Sequence, residues 1–164
     1  MNRTADVVIV GAGVIGSATA FELAKRGYKT LNIDKLPASG YGSTSNSCAI
    51  VRAHYSTWDG VAMAYEGFFY WDDWNKYLEV EDERGMAKYM KTGSIMFMLK
   101  GADHSKKSLN LFKEIGVEHE IWDLETLKKK MPIYSHDSYN GTSRPDEDDS
   151  FFDKSGDQIE GAVW

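Results

Sequence analysis

The sequence predicts an α/β fold with a doubly wound parallel sheet, and three observations in its first 34 residues support this prediction. Val7–Val10 is a short β-branched run, which is typical of a parallel strand buried on both faces. A glycine-rich turn follows at once, and apolar residues then recur at helical spacing. A second strand-like run leads to a lone acid, Asp34, so the segment has the order of one βαβ unit.

The composition is that of an ordinary globular protein, with 42% hydrophobic and 27% charged residues over 164 positions. The net charge of −6 argues against a broad nucleic-acid surface, which requires a basic face. No apolar run reaches the ~20 residues of a membrane span, and the N-terminus has no signal-peptide pattern. A single cysteine, Cys48, excludes an internal disulfide framework and a multi-cysteine zinc site. We therefore expect a reducing, cytoplasmic location and no metal.

Each glycine of the turn GAGVIG, residues 11–16, has its own expected role. Gly11 permits the tight turn from strand to helix, Gly13 lets the backbone approach a pyrophosphate, and Gly16 lets the helix pack close to the strand. The N–H groups at the start of the helix would face the phosphates. Gly27 suits the left-handed position that ends a helix.

Asp34 follows the glycines by about 20 residues, the spacing of the acid that binds a ribose. Its carboxylate can accept hydrogen bonds from ribose hydroxyls, and it disfavours NADP because it repels a 2′-phosphate. Strand, glycines, helix, second strand and acid occur in the required order, which predicts dinucleotide binding. The alternative is a glycine-rich turn in some other α/β protein.

A long polar loop, residues 37–48, follows the acid where a plain NAD domain would continue into another helix. Its hydroxyl groups and small side chains suit contact with a second phosphate region or with the edge of a flavin. A flexible surface linker is the alternative interpretation. The loop leads into an apolar and basic stretch, residues 49–55.

The stretches VVIVGAGVIGSATAFELAKRGYKTLNIDK (residues 7–35) and GSTSNSCAIVRAHY (residues 42–55) resemble the FAD-dependent D-amino acid oxidase superfamily. The sarcosine oxidase and dimethylglycine dehydrogenase branch is the most similar, because it carries a G-[SN]-[ST] loop followed by I-[IV]-R-x-x-Y. The resemblance implies the N-terminal part of a Rossmann-like FAD-binding domain over residues 1–88. Residues 89–164 would begin a mixed-sheet α+β substrate domain that is incomplete at its C-terminal end.

The resemblance also implies the chemistry, which is oxidation of the C–N bond of an amino acid or N-methylated amine by hydride transfer to the flavin. Arg52 is the one catalytic residue it implies, placed beside the flavin to hold a substrate carboxylate or to contact the flavin. The residues it implies for FAD binding are Gly11, Gly13, Val14, Ile15, Gly16, Asp34, Lys35, Gly42, Ser43, Thr44, Ser47, Cys48 and Arg52.

Four features of this stretch depart from the family pattern or bear on the expected site. Ala49 stands where some relatives carry a second basic residue. The loop has no histidine for covalent attachment of the flavin, so such attachment is not expected from this part of the chain. Cys48 is expected to be a small buried residue. His54 either faces the flavin or fills the edge of a strand.

Periodicity predicts three further helices, over 61–78, 105–115 and 124–131, the last capped by Asp123. It also predicts a strand over 89–99 with Gly93 as a bulge, a short strand over 120–122 and a terminal strand beginning in QIEGAVW. Residues 135–157, which contain the acid run 146–149, are expected to form an exposed loop.

Members of the family are longer than this chain, so we expect further sequence or a complementary chain to complete the fold. Alone, the chain should expose apolar surface and bind FAD poorly. The expected partners are a small amino-acid or N-methyl amine substrate and the missing C-terminal half or complementary chain, with no nucleic acid and no membrane span. Two other functions stay open, an NAD-binding dehydrogenase or sensor domain and a non-catalytic scaffold subunit of a flavoprotein complex.

Overall fold

The computed structural model describes residues 4–101, 103–139, 144, 146–147 and 149–164. The chain divides into two compact units, one up to Ile50 and one from Val51 to Trp164. The elements in chain order are β1 Val7–Val10, α1 Val14–Lys25, β2 Thr30–Ile33, α2 Trp58–Asp72, α3 Trp74–Leu78, β3 Met96–Leu99, α4 Asp103–Ile115, β4 Ile121–Asp123, α5 Leu124–Lys130, β5 Asp137–Tyr139 and β6 Lys154–Val163. The predicted domain division after residue 88 concerns a longer family fold and stays a prediction.

The first unit is the predicted βαβ unit. Strand β1 pairs in parallel with β2, and Val7 lies opposite Thr30. Helix α1 connects them and ends where Gly27 adopts a φ of 86°. The N–H groups of Gly27 and Tyr28 then donate to carbonyls of the last turn, at 2.9 and 3.1 Å. The α/β class is confirmed, while a doubly wound sheet stays a prediction because the described residues contain two parallel strands.

The first unit presents apolar surface to solvent, as the sequence predicts. Along β1 the side chains alternate between half-buried and exposed, and those of Val8 and Val10 are 56% and 83% exposed. Helix α1 contains no fully buried residue. Parallel strands are normally covered on both faces. The described residues of this unit therefore bury less of β1 than such a strand requires.

The second unit is built around β6. Strand β6 lies between β3 and β4 and pairs antiparallel with both, and β5 also pairs antiparallel with β6. One core cluster contains Val61, Phe112 and Val163, and a second contains Trp122 and Leu127. All the pairings described in this sheet are antiparallel, so the mixed sheet stays a prediction.

The helix predicted over 61–78 is two helices, because Asp73 breaks it with φ −124° and ψ 55°. Asp72 and Asp73 place two acids at the C-terminal end of α2, where the helix dipole disfavours negative charge. The Asp72 carboxylate turns to the Lys91 ammonium group, 2.5 Å away. The prediction of one helix was wrong because apolar periodicity continues through this break.

The strand predicted over 89–99 is also shorter, since β3 begins at Met96. Its irregular pairing lies between Met98 and Leu99, and Gly93 is not the bulge. Gly93 has a φ of 71°, and the ring of Trp164 occupies the space that a Cβ would need. Glycine at position 93 therefore lets the Trp164 ring pack against the backbone just before β3 begins.

The loop predicted over 135–157 contains β5 and the start of β6, so that prediction was wrong for those residues. Asp148 of the acid run lies outside the described residues. Helix α5 begins as predicted, because the Asp123 carboxylate accepts the N–H of Thr126 at 2.8 Å. Within the described ranges there is no cluster of three or more His, Cys, Asp or Glu residues suited to a metal ion. None of the described helices is both long and apolar enough to span a bilayer.

Candidate functional site

The glycine turn between β1 and α1 has the geometry that its sequence predicts at two of its glycines. Gly11 has a φ of 109°, a conformation that residues with a Cβ rarely adopt. A Cβ on Gly16 would overlap the carbonyl group of Gly11, so the first turn of α1 lies directly against the turn. The side-chain amide of Asn32 donates to the Gly16 carbonyl at 3.1 Å and fixes β2 to the same point.

Asp34 is hydrogen bonded to the glycine turn through its side chain. Its Oδ2 accepts the N–H of Ala12 at 2.7 Å, and its Oδ1 accepts the N–H of Leu36 at 2.9 Å. These bonds, that from Ala12 above all, lower the pKa of the Asp34 carboxyl group. The carboxylate is thus ionised and fixed in direction. Because each oxygen has a second lone pair, it can also accept hydroxyl donors such as those of a ribose.

The polar loop that follows Asp34 contacts the glycine turn at two places. The N–H of Gly40 donates to the Ala12 carbonyl at 2.9 Å. The Thr44 hydroxyl oxygen accepts the N–H of Val14, also at 2.9 Å. A Cβ on Gly13 would lie 3.0 Å from that oxygen. These contacts argue against a free linker, and they show that the close approach at Gly13 is made by Thr44.

Several donors at the start of α1 stay available. Among the described residues, no hydrogen-bond partner is present for the N–H groups of Gly13, Ile15 and Gly16. The first turn of the helix carries no acidic side chain that would compete for them. Free N–H groups and the positive end of the helix dipole together favour an anion at this position.

The other predicted FAD contacts in this unit line the same loop. Lys35 and Ser43 are exposed. The Gly42 carbonyl accepts the hydroxyl of Ser45 and the side-chain amide of Asn46, at 3.1 and 3.0 Å. These two bonds close the loop into a compact turn.

Beyond that turn the chain passes through an unusual conformation before Arg52. The Ser47 hydroxyl accepts the N–H of Ala49 at 3.1 Å. Ala49 itself adopts a φ of 54°, which is uncommon for a residue with a Cβ. Cys48 is exposed, so the expectation of a small buried residue was wrong. The reason is local, because this part of the loop packs under no other described element.

Arg52 lies at the start of the second unit, next to Val51, and is exposed. Its guanidinium carbon lies 5.6 Å from the centre of the Tyr55 ring, a cation–π contact. Among the described residues, no carboxylate lies within ion-pair distance of Arg52. Its charge therefore stays available to an anionic ligand.

His54 packs against the helix that follows. Its ring stacks on Phe112 with centroids 5.3 Å apart, and its Nε2 lies 3.5 Å from the Ser94 hydroxyl. Burial, and secondarily the charge of Arg52, lower the pKa of His54, so the ring is neutral at neutral pH. No strand is present over 49–55, so the strand-edge alternative for His54 was wrong.

Comparison with known proteins decides the family. The family model described as FAD dependent oxidoreductase matches residues 6–157. The chain belongs to this family. FAD is therefore confirmed as the cofactor at the level of the family, and the resemblance noted from the sequence is confirmed as well.

Two relatives and one solved structure illustrate the similarity. The chain is 29% identical to a monomeric sarcosine oxidase of Bacillus sp. (strain B-0618), over 88% of this chain and 37% of that protein. It is 28% identical to the peroxisomal sarcosine oxidase of Homo sapiens, over 77% and 31%. The crystal structure of L-proline dehydrogenase from P. horikoshii covers 100% of this chain and 37% of its own, with a TM-score of 0.70 and 19% identity. That structure supports the fold alone.

The chain spans about 37% of the length of the Bacillus relative and 31% of the human one. In this member of the family, the sequence pattern singled out the turn glycines and Asp34 but not Asn32, which donates to the Gly16 carbonyl. A polar residue in the middle of an apolar strand was the signal that could have found it. The contact between Thr44 and Val14 joins residues 30 positions apart, and no local pattern signals such a pair.

Proposed function

We propose that the chain forms the N-terminal part of an FAD-dependent oxidoreductase that oxidises the C–N bond of an amino acid or an N-methylated amine. One observation carries the proposal: the Asp34 carboxylate is fixed against a glycine turn whose neighbouring N–H groups are available. Such a turn can hold a ribose and a pyrophosphate side by side. The names of the sarcosine oxidase relatives support the substrate class.

The adenosine diphosphate half of FAD would lie over the first unit. Asp34 would accept the ribose hydroxyls, while the N–H groups of Gly13 and Ile15 would donate to phosphate oxygens. Lys35, Gly42, Ser43 and Ser47 would line the cofactor along the loop. The bound flavin would supply acceptance of a hydride, and the protein supplies position and charge.

Arg52 would bind the substrate carboxylate, which its planar guanidinium group matches with two parallel hydrogen bonds. Its exposure and the absence of an acidic partner among the described residues support this role. The Tyr55 ring would restrict the arginine side chain and so reduce the entropy lost on binding.

Two alternatives from the sequence are less well supported. The match to an FAD-dependent family disfavours an NAD-binding dehydrogenase or sensor. The available N–H groups beside Asp34 disfavour a scaffold that has lost its nucleotide site. Exposed Val8 and Val10 support completion of the sheet by further sequence or by a complementary chain. A cytoplasmic location stays part of the proposal, although the human relative is named as peroxisomal.

Titration of the 164-residue chain with ADP, followed by amide NMR, tests the nucleotide site. ADP is the appropriate probe because every group expected to bind it lies between residues 11 and 47. We expect saturable shifts of the Gly13, Ile15 and Gly16 amide signals, and weaker binding of adenosine 2′,5′-bisphosphate because Asp34 repels the 2′-phosphate.

The variant Asp34→Asn should bind ADP more weakly, while Asp103→Asn, an exposed acid at the start of α4, serves as the matched control. If ADP shifts amide signals elsewhere in the chain but none of the glycine turn, or if both variants bind like the unchanged chain, the proposed nucleotide site is wrong.

A further inference from the structure

We propose that a groove at the junction of α2 and α3, the α2–α3 groove, binds a small zwitterion that carries an alkylated ammonium group and a carboxylate. Its volume is about 450 Å³, and sites for small ligands commonly measure roughly 300–1,000 Å³. One wall is the end of α2 and the start of α3, and the other is the segment 87–90. Its lining includes none of the residues proposed to bind FAD or the oxidised substrate, so the inference goes beyond the proposed function and does not depend on it.

The two walls of the α2–α3 groove are held together by side-chain contacts. The Asp72 carboxylate on one wall pairs with the Lys91 ammonium group, which follows the other wall, at 2.5 Å. The Tyr89 ring stacks on Phe68, with centroids 6.1 Å apart and an angle of 21° between the planes. Phe68 in turn packs against the core cluster that contains Val61. The groove is therefore formed without a ligand, and binding would require little further ordering.

Aromatic rings line the groove on both walls. Trp71 and Trp74 belong to one wall and Tyr89 to the other. The two indole rings stack with centroids 4.5 Å apart, and Trp74 also contacts the Tyr77 ring at 5.3 Å. Aromatic rings, tryptophan above all, attract cations, and cages of such rings recognise quaternary and methylated ammonium groups. The lining therefore favours an alkylated ammonium group over a simple ammonium ion.

Charged side chains of opposite sign face this lining from the two walls. Asp73 lies on one wall and Lys88 on the other. The Asp73 side chain makes no capping hydrogen bond to α3. Among the described residues, neither Asp73 nor Lys88 has an ion-pair partner, whereas the charge of Asp72 is met by Lys91. A ligand with an ammonium group beside Asp73 and a carboxylate beside Lys88 would match both charges.

Glycine betaine is the appropriate probe, because it carries a trimethylammonium group and a carboxylate. The 164-residue chain is titrated with it, and the indole N–H signals are followed by NMR. Trp71→Phe and Trp74→Phe assign the two signals of the groove. We expect both to shift and to saturate. The signals of Trp122 and Trp164, whose rings stack on each other and do not line the groove, should stay constant.

Two charge variants separate the two ends of the ligand. Asp73→Asn should weaken the binding of both glycine betaine and tetramethylammonium about fivefold. Lys88→Met should weaken only glycine betaine by a similar factor, because tetramethylammonium has no carboxylate. Asp103→Asn and Lys113→Met are the matched controls, since both residues are exposed on α4, and each should bind both ligands within about twofold of the unchanged chain.

Glycine tests the aromatic contribution, because it keeps the carboxylate but has an ammonium group without methyl groups. It should bind about tenfold more weakly than glycine betaine. Equal binding of the two would show that the rings do not select an alkylated ammonium group. An equal loss for both ligands in Lys88→Met would show that Lys88 does not bind the carboxylate. Either result overturns the proposal, and so does the lack of a saturable shift at Trp71 and Trp74. None of these outcomes affects the nucleotide site, which the ADP titration tests on residues of the first unit.

Discussion

The substitution Gly16→Ala tests whether close packing at the glycine turn holds the first unit together. A Cβ at this position would overlap the backbone carbonyl of Gly11, and backbone cannot rotate away as a side chain can. Helix α1 or the turn must therefore move. Forced overpacking of this kind costs about 1–3 kcal/mol. The Asn32 amide bond to the Gly16 carbonyl would be strained by the same movement.

Amide hydrogen exchange measures this effect where it arises. All five tryptophans lie at position 58 or beyond, so tryptophan fluorescence reports on the second unit. Exchange of amides that join β1 and β2, and of the adjoining Gly11 N–H bonded to the Ile33 carbonyl at 2.7 Å, reports on the first. A loss of about 1–3 kcal/mol predicts exchange that is roughly 5- to 150-fold faster in Gly16→Ala.

The matched control is Gly67→Ala, the same change at a helical glycine in α2 where a Cβ would meet nothing within 4 Å. It should stabilise the second unit by about 0.5–1 kcal/mol, because alanine loses less backbone entropy in a helix than glycine does. If Gly16→Ala left the exchange of first-unit amides within twofold of the unchanged chain, the argument from packing at this turn would be refuted.

Three further predictions concern the core, the acid and the arginine. Leu127→Ala removes a fully buried side chain and should lower the free energy of unfolding by about 2–5 kcal/mol, as measured by tryptophan fluorescence in urea. The pKa of Asp34 is lower in the folded chain than in the unfolded chain. The ionised carboxylate therefore stabilises the fold at pH values above the unfolded-state pKa, and this stabilisation is lost as the pH falls through the folded-state pKa. The Ala12 amide shift should therefore titrate below pH 3.8, and a midpoint above it contradicts the assignment. In the flavin-loaded enzyme, Arg52→Lys should raise KM for a carboxylate-bearing amine about tenfold and leave an uncharged amine unaffected; equal effects on both would exclude carboxylate binding.

The sequence was informative wherever a structural requirement is local. A positive φ at Gly11 and at Gly27 follows from turn geometry within a few residues, and the cap at Asp123 follows from one helical turn. Strand β1, helix α1 and strand β2 were predicted for the same reason. The hydroxyl of Thr44 and the amide of Asn32 act on partners 30 and 16 residues away, so their roles became visible only in the folded chain.

Errors arose where local periodicity competes with tertiary contacts. Apolar spacing continues past Asp73, but the carboxylate of Asp72 binds Lys91 and the helix ends there. Residues 137–139 look like loop because they are polar and short, yet β5 forms since β6 offers a partner edge. In both cases the deciding interaction joins segments that a sequence window does not contain.

The charge arrangement at the glycine turn is compatible with the proposed binding of a ribose beside a pyrophosphate. An acid near phosphates is unfavourable by simple repulsion, but both carboxylate oxygens of Asp34 are bonded to backbone N–H groups, which offset part of its charge. In the proposed site, the Asp34 carboxylate would face the ribose, and the N–H groups of Gly13 and Ile15 at the start of α1 would face the pyrophosphate. A third phosphate on the ribose would meet the carboxylate directly. In the proposed site, Asp34 would therefore favour a dinucleotide without a 2′-phosphate.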